Sequence, residues 1–495
     1  MEFKAYNIPI RTGHKYVAVF TPKDALRLDL QPGDRIKLKN PKLKKVYPLT
    51  ALVDISDDDS VKDGHLGLFS ETFKTLMLKK NNKVDVSNLE KPETVEFIKA
   101  KLNGDRLDAK QIDAIIKDVV EDDLTDVELT YLVAGSHIHG LSDEETANLT
   151  KAIVKNGQTI KFTKGTIVDK HCIGGVPGNR TTMLIVPIIA STGLKMPKTS
   201  SRSITSPSGT ADTMEILANV TVTADKLKKI AETEGGFVSW GGGVDIAAAD
   251  DHIIRVRHPL SLDPEGMMLA SIMAKKYAVG SKHVLIDIPV GPDVKVSEKM
   301  QAEHLKDRFE TIGKLLKMEV KVIFTDGTQP IGQGVGPSLE AIDVFKVLNN
   351  AADAPQDLKE KALVMSGYLL EMGKKAKPKQ GYKMAKEILE SGKALAKFNR
   401  IVKAQGKSKY ELREGKYHFN LLATSSGTVK SINNKLISKI ARIAGAPIDK
   451  YAGLKVLKKI GDKVKKDEPL LTVYADSKAR LSGVKENLVF PYKIS

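Results

Sequence analysis

The sequence predicts a multidomain protein of the α/β plus α+β class. We expect a small N-terminal β-barrel, a helical domain, a central α/β domain and a C-terminal barrel-sandwich-like domain. Short β-like runs fill residues 1–86, helical periodicity follows through 87–163, and strands then alternate with glycine-rich turns and helices. At roughly 150 residues per domain, a chain of 495 residues accommodates this arrangement.

The N-terminal segment, residues 1–86, is predicted to form the barrel. Its β-like runs at 15–20, 35–38 and 46–53 surround a Gln-Pro-Gly-Asp turn at 31–34. Strands punctuated by Pro and Gly in this way are typical of a small barrel.

The helical domain is predicted at 87–163, and a stretch at about 248–280 is expected to return to it. Two capping boxes, in which Thr125 and Ser142 each precede a glutamate by three residues, predict helix starts. An amphipathic pattern at 264–276 predicts the returning helix.

The α/β domain is predicted at 164–247 and 281–408, with a mixed, largely parallel sheet. Its strand-like runs lie at 166–169, 284–290 and 320–325, and a wholly apolar helix is expected at 183–190.

The C-terminal segment, 409–495, is predicted to be a β-rich assembly domain. Its runs at 455–465 and 469–474 alternate around a Gly-Asp turn at 461–462, a pattern that resembles biotinyl and lipoyl carrier folds. No lysine in a Met-Lys-Met type sequence sits at a hairpin tip, so no carrier function is expected.

Composition and charge restrict the possible partners. The 78 Lys and Arg residues exceed the 61 Asp and Glu residues, a net charge of +17 that favours an anionic partner. Aromatic residues make up 5% and do not interleave with basic runs, so nucleic-acid binding is not expected. No apolar run approaches the ~20 residues that span a bilayer, so no membrane partner is expected. The single cysteine, Cys172, excludes a disulfide framework and a cysteine-based zinc site, and it fits a cytoplasmic location.

A glycine-rich segment at 169–179, DKHCIGGVPGN, is the strongest candidate site. Its glycines let backbone N–H groups approach an anion, the helix predicted after it favours negative charge, and Lys170 adds a point charge. The spacing is neither that of a Walker A motif nor that of a dinucleotide fingerprint. A tight strand-to-helix turn without a ligand is the alternative.

A second candidate is a polar segment at 199–212, which holds eight hydroxyl residues and Arg202 before a predicted helix. Hydroxyls and backbone amides can satisfy phosphate oxygens, and an arginine can grip two of them at once. A polar loop or helix cap accounts for one or two of these hydroxyls but not for their density.

These segments resemble the thymidine and pyrimidine nucleoside phosphorylase family, and the chain is identified as a member of it. The resemblance spans about 88–480 in one order. The matching segments are DKHCIGGVPGN at 169–179, SSRSITSPSGTADTMEIL at 200–217, ASIMAKK at 270–276, TDGTQPIGQGVG at 325–336 and GKALAKFNRIVKAQG at 392–406.

Two departures from the family resemble its archaeal AMP phosphorylase branch. A barrel of ~85 residues precedes the helical domain. The family's GRGLGHTGG is replaced by SRSITSPSG, which adds Ser203, Thr205 and Ser206 beside Arg202. In that branch the substrate carries its own 5′-phosphate, and added hydroxyls would hold this second anion.

The resemblance implies phosphorolysis of nucleoside 5′-monophosphates, AMP and also CMP and UMP, in nucleotide degradation. Inorganic phosphate, the co-substrate, attacks C1′, and free base and ribose 1,5-bisphosphate leave. No cofactor or metal is expected, and His137 and His139, two residues apart, do not share a helix face that would hold a metal. The expected partners are these small molecules and a second copy of the chain, as a homodimer, with assembly into larger oligomers as the alternative.

The same resemblance assigns the site residues. Asp263 corresponds to the general acid that protonates the leaving base, a role that requires burial to keep the carboxyl protonated. A helix N-cap is its alternative role, since Asp-Pro begins helices well. Cys172 stands where the family has Ser, and no role is assigned to His171. Substrate contacts are assigned to Gly175, Ser201, Arg202, Ser203, Ile204, Thr205, Ser206, Thr210, Ser271 and Lys295, and phosphate contacts to Lys170, Ser200 and Thr181.

Three other functions fit parts of the sequence. A nucleoside phosphorylase acting on unphosphorylated thymidine or uridine would not need the hydroxyl-rich SRSITS loop. An anthranilate-type phosphoribosyltransferase has a similar helical and α/β plan, but it uses Mg²⁺ with diphosphate and lacks the two terminal barrels. A non-enzymatic basic binding protein leaves the matched segments unexplained, and a salt-sensitive shift of DNA would favour it.

Overall fold

Six strands close into a barrel at the N-terminus of the computed structural model, which describes residues 1–495 apart from 14, 44–47, 59, 90, 204–205, 244–247, 258 and 260–261. The elements are β1 (Glu2–Ile8), β2 (Val17–Phe20), α1 (Pro22–Arg27), β3 (Arg35–Lys39), β4 (Leu49–Ile55), β5 (His65–Phe69), α2 (Ser70–Thr75) and β6 (Lys83–Asn88). The order around the barrel is β1-β5-β2-β4-β3-β6. Phe3 and Phe20 meet edge to face in its core, with ring centroids 5.5 Å apart. The strand expected at 46–53 is observed as β4, and residues 46 and 47 lie outside the described part.

The chain divides into two units by the density of its internal contacts. The first is Met1–Gly140 with His252–Pro264, and the second is Leu141–Asp251 with Glu265–Ser495. Besides the barrel, the first unit contains α3 (Thr94–Leu102), α4 (Ala109–Val120), α5 (Asp126–His139) and the end of a helix at Ala248–Arg257.

Ion pairs join the barrel to the helices within the first unit. Arg35 of β3 donates to both carboxylate oxygens of Glu128, at 3.0 and 3.2 Å. Glu128 also completes the capping box with Thr125 that begins α5, which is the helix start that the sequence predicts. Arg255 of the later helix pairs with Asp126 at 3.2 Å. The end of that helix is therefore fixed to the start of α5.

The second unit begins with α6 (Asp143–Lys155), which starts at the predicted capping box of Ser142 and Glu145. Helix α6 packs against the helix at Glu265–Tyr277. The core elements are β7 (Val168–Cys172), α7 (Thr181–Ala190), β8 (Met196–Ser200), α8 (Thr210–Glu215), α9 (Ala224–Glu234), β9 (Gly236–Trp240), α10 (Ala248–Arg257), α11 (Glu265–Tyr277), β10 (His283–Val290), α12 (Lys299–Leu315), β11 (Glu319–Asp326), β12 (Gly334–Val335), α13 (Pro337–Leu348), α14 (Gln356–Met372), α15 (Gly381–Glu390) and α16 (Lys393–Gln405).

The core strands pair in parallel, in the order β11-β10-β7 and as the separate pair β8-β9. A parallel bridge between Ile167 and Lys195 links the two groups. Helix α7 is buried over its whole length, as its apolar sequence predicts. Strand β7 extends to Cys172, three residues beyond the strand expected at 166–169, because Val168–Cys172 pairs in register with β10. The anion-binding segment therefore begins on a strand, and its turn starts only at Ile173.

The C-terminal segment forms two antiparallel sheets and two helices. Its elements are β13 (Tyr417–Leu422), β14 (Gly427–Ile432), α17 (Asn434–Ala444), β15 (Gly453–Val456), β16 (Lys463–Val464), β17 (Pro469–Ala475), α18 (Lys478–Glu486) and β18 (Tyr492–Ile494). The sheet orders are β12-β15-β17-β13 and β16-β14-β18. Strands β15 and β16, which flank the Gly461–Asp462 turn, lie in different sheets instead of forming a hairpin. Strand β12, from the α/β core, completes the first sheet.

None of the helices in the described residues combines the length and apolar character that a membrane crossing requires.

Candidate active site

The turn after β7 is built from glycines in the left-handed region. Gly174, Gly175 and Gly178 have φ values of 98°, 100° and 77°, which residues with a side chain rarely adopt. A Cβ at Gly175 would lie 2.9 Å from the Val294 Cα and from the Lys295 backbone nitrogen. Only glycine fits this approach, which brings together two of the residues assigned to substrate, Gly175 and Lys295.

Lys170 reaches from the strand to the start of the following helix. Its Nζ donates to the Thr181 hydroxyl at 2.8 Å, and that hydroxyl donates to Asn179 Oδ1 at 3.1 Å. Asn179 Nδ2 in turn donates to the Cys172 sulfur at 3.3 Å. The structure thus joins two residues assigned to phosphate, Lys170 and Thr181, across the glycine turn.

Positive charge exceeds negative charge behind this turn. Lys198 and Lys276 both lie beside Asp169, at 3.8 and 2.7 Å, and Lys170 is buried next to them. Burial lowers the pKa of Lys170 to about 8 and the pKa of Lys198 well below its ordinary value. Two buried amines therefore contact one carboxylate, whereas Lys170 donates to a neutral hydroxyl. An anion bound at the turn would stabilise the charged forms of these lysines.

A further buried pair lies beside the same strands. Lys361 of α14 forms an ion pair with Asp287 of β10 at 2.9 Å, and both contact the Thr325 hydroxyl. Sequence reasoning missed Lys198, Lys276, Lys361 and Asp287. Lys276 could have been predicted, because it is the last residue of the ASIMAKK match. Lys361 lies in a helix whose sequence carries no local signal of a site.

The His171 and Cys172 side chains are held in their neutral forms. Burial, followed by the charges of Lys276 and Lys198, lowers the pKa of His171 well below its ordinary value. Burial raises the pKa of the Cys172 thiol to about 11. A neutral thiol is a poor nucleophile, so Cys172 serves the site as a packing group and hydrogen-bond acceptor.

The hydroxyl-rich loop is organised by two acidic residues of α8. Arg202 donates to both carboxylate oxygens of Glu215, at 2.9 and 2.7 Å, and to Asp212 at 3.1 Å. Its guanidinium also lies over the Trp240 ring, 5.0 Å from the centroid. Lys450 from the C-terminal segment reaches the same carboxylates, at 2.9 Å from Glu215 and 3.3 Å from Asp212. A ligand phosphate on Arg202 would therefore have to displace Glu215.

The hydroxyls of this loop mostly bond to nearby backbone. Ser203 donates to the Ser206 carbonyl, Ser206 to the Ser208 carbonyl at 2.9 Å, and Ser200 to the Ser201 carbonyl at 3.4 Å. Thr210 is the first residue of α8. The assigned residues Ile204 and Thr205 lie outside the described residues.

Ser271 belongs to a small cluster on α11. Its hydroxyl donates to Asp250 at 2.7 Å, and Lys275, one turn later, donates to Asp250 at 2.6 Å and to the Ser271 oxygen at 2.9 Å. Sequence reasoning missed Lys275 and Asp250, although Lys275 lies in the ASIMAKK match.

Asp263 lies in the first unit, whereas the other assigned residues lie in the second. Its carboxylate forms an ion pair with Arg257, and its side chain is 41% exposed. The burial that sequence analysis expects around a general acid is therefore not observed in this conformation. The carboxylate instead contacts Arg257, the last residue of α10.

The loop at 325–336 lies between the glycine turn and the C-terminal segment. Ile331 N donates to the Pro177 carbonyl at 3.1 Å, and a Cβ at Gly178 would overlap the Ile331 carbonyl oxygen. From the other side, buried Asn434 of α17 donates to the Gly327 carbonyl at 2.9 Å, and Ile460 N donates to Gln329 Oε1 at 2.8 Å. The C-terminal segment thus supports the anion turn through one intervening loop.

The chain matches three family models and is similar to curated proteins over nearly its whole length. Residues 95–157 match the helical bundle domain of the glycosyl transferase family, residues 164–395 its a/b domain, and residues 428–495 the pyrimidine nucleoside phosphorylase C-terminal domain. Over 490 residues the chain is 43% identical to AMP phosphorylase 1 of Archaeoglobus fulgidus, covering 98% of this chain and 95% of the relative. It is 40% identical to AMP phosphorylase of Methanococcoides burtonii over 98% of this chain and 95% of that one.

The chain is also similar to a bacterial relative and to a solved structure. A Bradyrhizobium diazoefficiens protein, provisionally named a thymidine phosphorylase, is 44% identical over 96% of this chain and 92% of its own. Among solved structures, anthranilate phosphoribosyltransferase from Thermus thermophilus aligns with a TM-score of 0.53 at 16% identity, over 62% of this chain and 98% of that one. This structural likeness shows a shared fold.

Proposed function

Because the chain belongs to the AMP phosphorylases of the pyrimidine nucleoside phosphorylase family, we propose that its buried lysines hold the attacking phosphate. The protein is a pentosyltransferase that catalyses the phosphorolysis of AMP. The observation that carries the assignment is the group of buried amines behind the Gly174–Gly178 turn, because a phosphate bound there would stabilise their charged forms.

The reaction requires a phosphate oxygen at C1′ and an acid for the base. A lone pair on phosphate forms the new C1′–O bond, and the C1′–N bond breaks with its electron pair going to adenine. Protonation of a ring nitrogen then completes the leaving group, and the other product is ribose 1,5-bisphosphate. No atom changes oxidation state, so the proposal includes no redox cofactor.

We assign the phosphate to Lys170, Thr181 and the glycine turn, with Ser200 at the end of β8 as a further contact. The positive charge of the buried lysines beside the turn would position the phosphate nucleophile and stabilise the negative charge of the transition state. The supporting observations are the Lys170–Thr181 hydrogen bond of 2.8 Å and the burial of both residues.

We assign the nucleotide to the Gly175–Lys295 approach, the Ser271 cluster and the loop around Arg202. The loop would bind the 5′-phosphate, and Arg202 would exchange its hydrogen bonds to Glu215 for hydrogen bonds to phosphate oxygens. This exchange is feasible because a guanidinium can donate two hydrogen bonds at once to a carboxylate or to a phosphate. The further substrate contacts proposed there are Ser201, Ser203, Ile204, Thr205, Ser206 and Thr210.

Asp263 is proposed to protonate the base. Its ion pair with Arg257 would have to break before it could donate a proton, because a carboxylate paired with arginine is an acceptor. We also propose that CMP and UMP are substrates, that the enzyme acts as a cytoplasmic homodimer, and that phosphate is its only co-substrate.

A second candidate, phosphorolysis of unphosphorylated thymidine, is suggested by the Bradyrhizobium relative. One experiment separates the two. The enzyme is incubated with AMP, CMP, UMP, adenosine or thymidine, each with and without phosphate, and free base and sugar phosphate are measured. Phosphate-dependent release of adenine from AMP but not adenosine supports the proposed 5′-phosphate site. Faster release from thymidine than from AMP would favour the second candidate.

A further inference from the structure

Residues 373–409 carry a large share of the protein's positive charge. This stretch of 37 residues contains twelve lysines and arginines against two glutamates, a net +10 out of +17 for the whole chain. The matched segment at 392–406 contains four of these basic residues, but none of the twelve is assigned to the proposed active site.

The fold turns this charge outward. The stretch covers the end of α14, α15 and α16, and the apolar residues Ile388, Phe398 and Ile401 fix the two later helices to the core. All twelve basic side chains except Lys397 are exposed. Lys393, Arg400 and Lys403 recur at helical spacing along one face of α16.

Most of these cations have no anionic partner. Ion pairs in the stretch join Lys386 to Glu390 at 4.0 Å, and Lys397 and Arg400 to Glu234 at 3.5 and 3.0 Å. Within the part of the chain that the structure describes, no carboxylate pairs with the other nine, namely Lys374, Lys375, Lys377, Lys379, Lys383, Lys393, Lys403, Lys407 and Lys409. A bound polyanion would relieve their mutual repulsion.

This basic face lies away from the phosphate site. Lys361, in the second turn of α14, contacts Asp287 and Thr325 near the carboxyl ends of β10 and β11. The stretch begins twelve residues later, about 18 Å along the helix at 1.5 Å per residue. There Gly373 packs against Leu194, just before the amino end of β8. The charge therefore serves something other than the AMP site.

We propose that the basic face of α15, α16 and the preceding linker binds the phosphate backbone of nucleic acid without reading its sequence. Helix α16 is about 20 Å long, a length over which a duplex carries roughly a dozen phosphates. A membrane surface fits less well, because Tyr382 is the single large apolar side chain exposed between residues 373 and 409. The sequence expectation of no nucleic-acid partner considered base stacking, which phosphate binding does not need.

The test measures binding of the full-length enzyme to a fluorescent 20-base-pair RNA duplex, a 20-nucleotide oligo(U) and a DNA duplex between 50 and 300 mM salt (on the order of the range where such contacts respond). The test variant changes Lys377, Lys383, Lys393 and Lys403 to Gln. The control variant changes four exposed lysines of the C-terminal segment, Lys430, Lys435, Lys439 and Lys465, to Gln, so that net charge is matched.

The expected result is binding of the wild type that weakens steeply with salt. The test variant should bind at least about tenfold more weakly, with a salt slope reduced by about one for each lysine that contacts a phosphate. The control variant should bind like the wild type, and all three proteins should cleave AMP at equal rates.

Three results would overturn the proposal. One is that the wild type binds none of the nucleic acids at 50 mM salt (about the salt concentration at which phosphate contacts are still strong). Another is that the control variant loses as much affinity as the test variant, which would show a response to net charge alone. The third is that the test lysines control binding to phosphatidylserine vesicles while nucleic acid is not bound.

Discussion

Lys170 and Thr181 are joined by a hydrogen bond of 2.8 Å that links the middle of β7 to the first residue of α7. Both side chains are buried, and burial holds the pKa of Lys170 at about 8. The amine is therefore charged below about pH 8 and neutral above it. An anion site that depends on this charge must weaken as the pH rises.

We expect kcat/KM for phosphate to fall about tenfold per pH unit above pH 8 in the wild type, since this parameter reports ionisations of the free enzyme. Phosphate stays a dianion over this range and does not contribute to the loss. Lys170→Arg keeps its charge and should flatten the profile, even if its activity is lower. A wild-type profile that is flat from pH 8 to about 10 would show that Lys170 does not hold phosphate.

Arg202 and Glu215 provide a paired test of the 5′-phosphate site. The hydrogen bond from Arg202 lowers the pKa of Glu215 to about 2, so this carboxylate is charged at neutral pH and competes with a substrate phosphate. We expect Arg202→Ala to weaken AMP binding by a lost charged hydrogen bond of about 1.5–3 kcal/mol, with inorganic phosphate binding little changed. Glu215→Gln should strengthen AMP binding.

Calorimetric titration of both variants decides the role of Arg202. A merely structural arginine predicts that both changes lower thermal stability and leave AMP affinity where it was. Opposite effects of the two substitutions on AMP affinity arise only if the guanidinium exchanges one anion for the other.

Asp263 is tested by Asp263→Asn, which keeps the size of the side chain and cannot donate a carboxyl proton. We expect the rate to fall by ~10²–10⁴-fold, with AMP binding largely retained because the effect belongs to the transition state. Asp225→Asn, at an exposed position of α9, is the control for a general effect of losing one acidic group. A folded Asp263→Asn enzyme within about threefold of the parent rate would refute the acid role, since that ratio is worth under ~1 kcal/mol.

Asn434 tests whether the C-terminal segment positions the anion turn. Asn434→Ala leaves the buried Gly327 carbonyl without its donor, which costs about 1–3 kcal/mol and loosens the loop behind Gly175 and Gly178. We expect a raised KM for phosphate as well as lower stability. Thr472→Val removes a hydrogen bond of 2.8 Å elsewhere in the same segment and should lower stability without changing KM.

Steady-state kinetics well below the melting temperature separate these effects. Equal KM values for the two variants would mean that Asn434 acts on stability alone.

Local signals made parts of the fold predictable. The starts of α5 and α6 follow from capping boxes that involve only four residues each, and α7 follows from an unbroken apolar run. The extent of β7 was not predictable, because residues as polar as Lys170 and His171 join a strand only through pairing with β10, more than one hundred residues later. Likewise, no local pattern could show that β12 completes a sheet of the C-terminal segment.

The site was predictable where a motif carried it and not where distant charges meet. Lys170 and Gly175 lie in the matched segment 169–179, Thr181 follows it by two residues, and the structure brings the three to one turn. Lys361 reaches the same region from a helix whose sequence is ordinary, and only the fold shows its contact with Asp287. For Arg202 the sequence suggested an anion ligand, but its carboxylate partner Glu215 became visible only once α8 was placed.

Strand β12 belongs by sequence to the α/β core and by hydrogen bonding to the C-terminal sheet, where Gly334 and Val335 pair with Lys455 and Leu454. The C-terminal segment, residues 409–495, is therefore not structurally independent of the α/β core. A chimaera that took this segment from a relative would also have to preserve the pairing of residues 334–335 with β15.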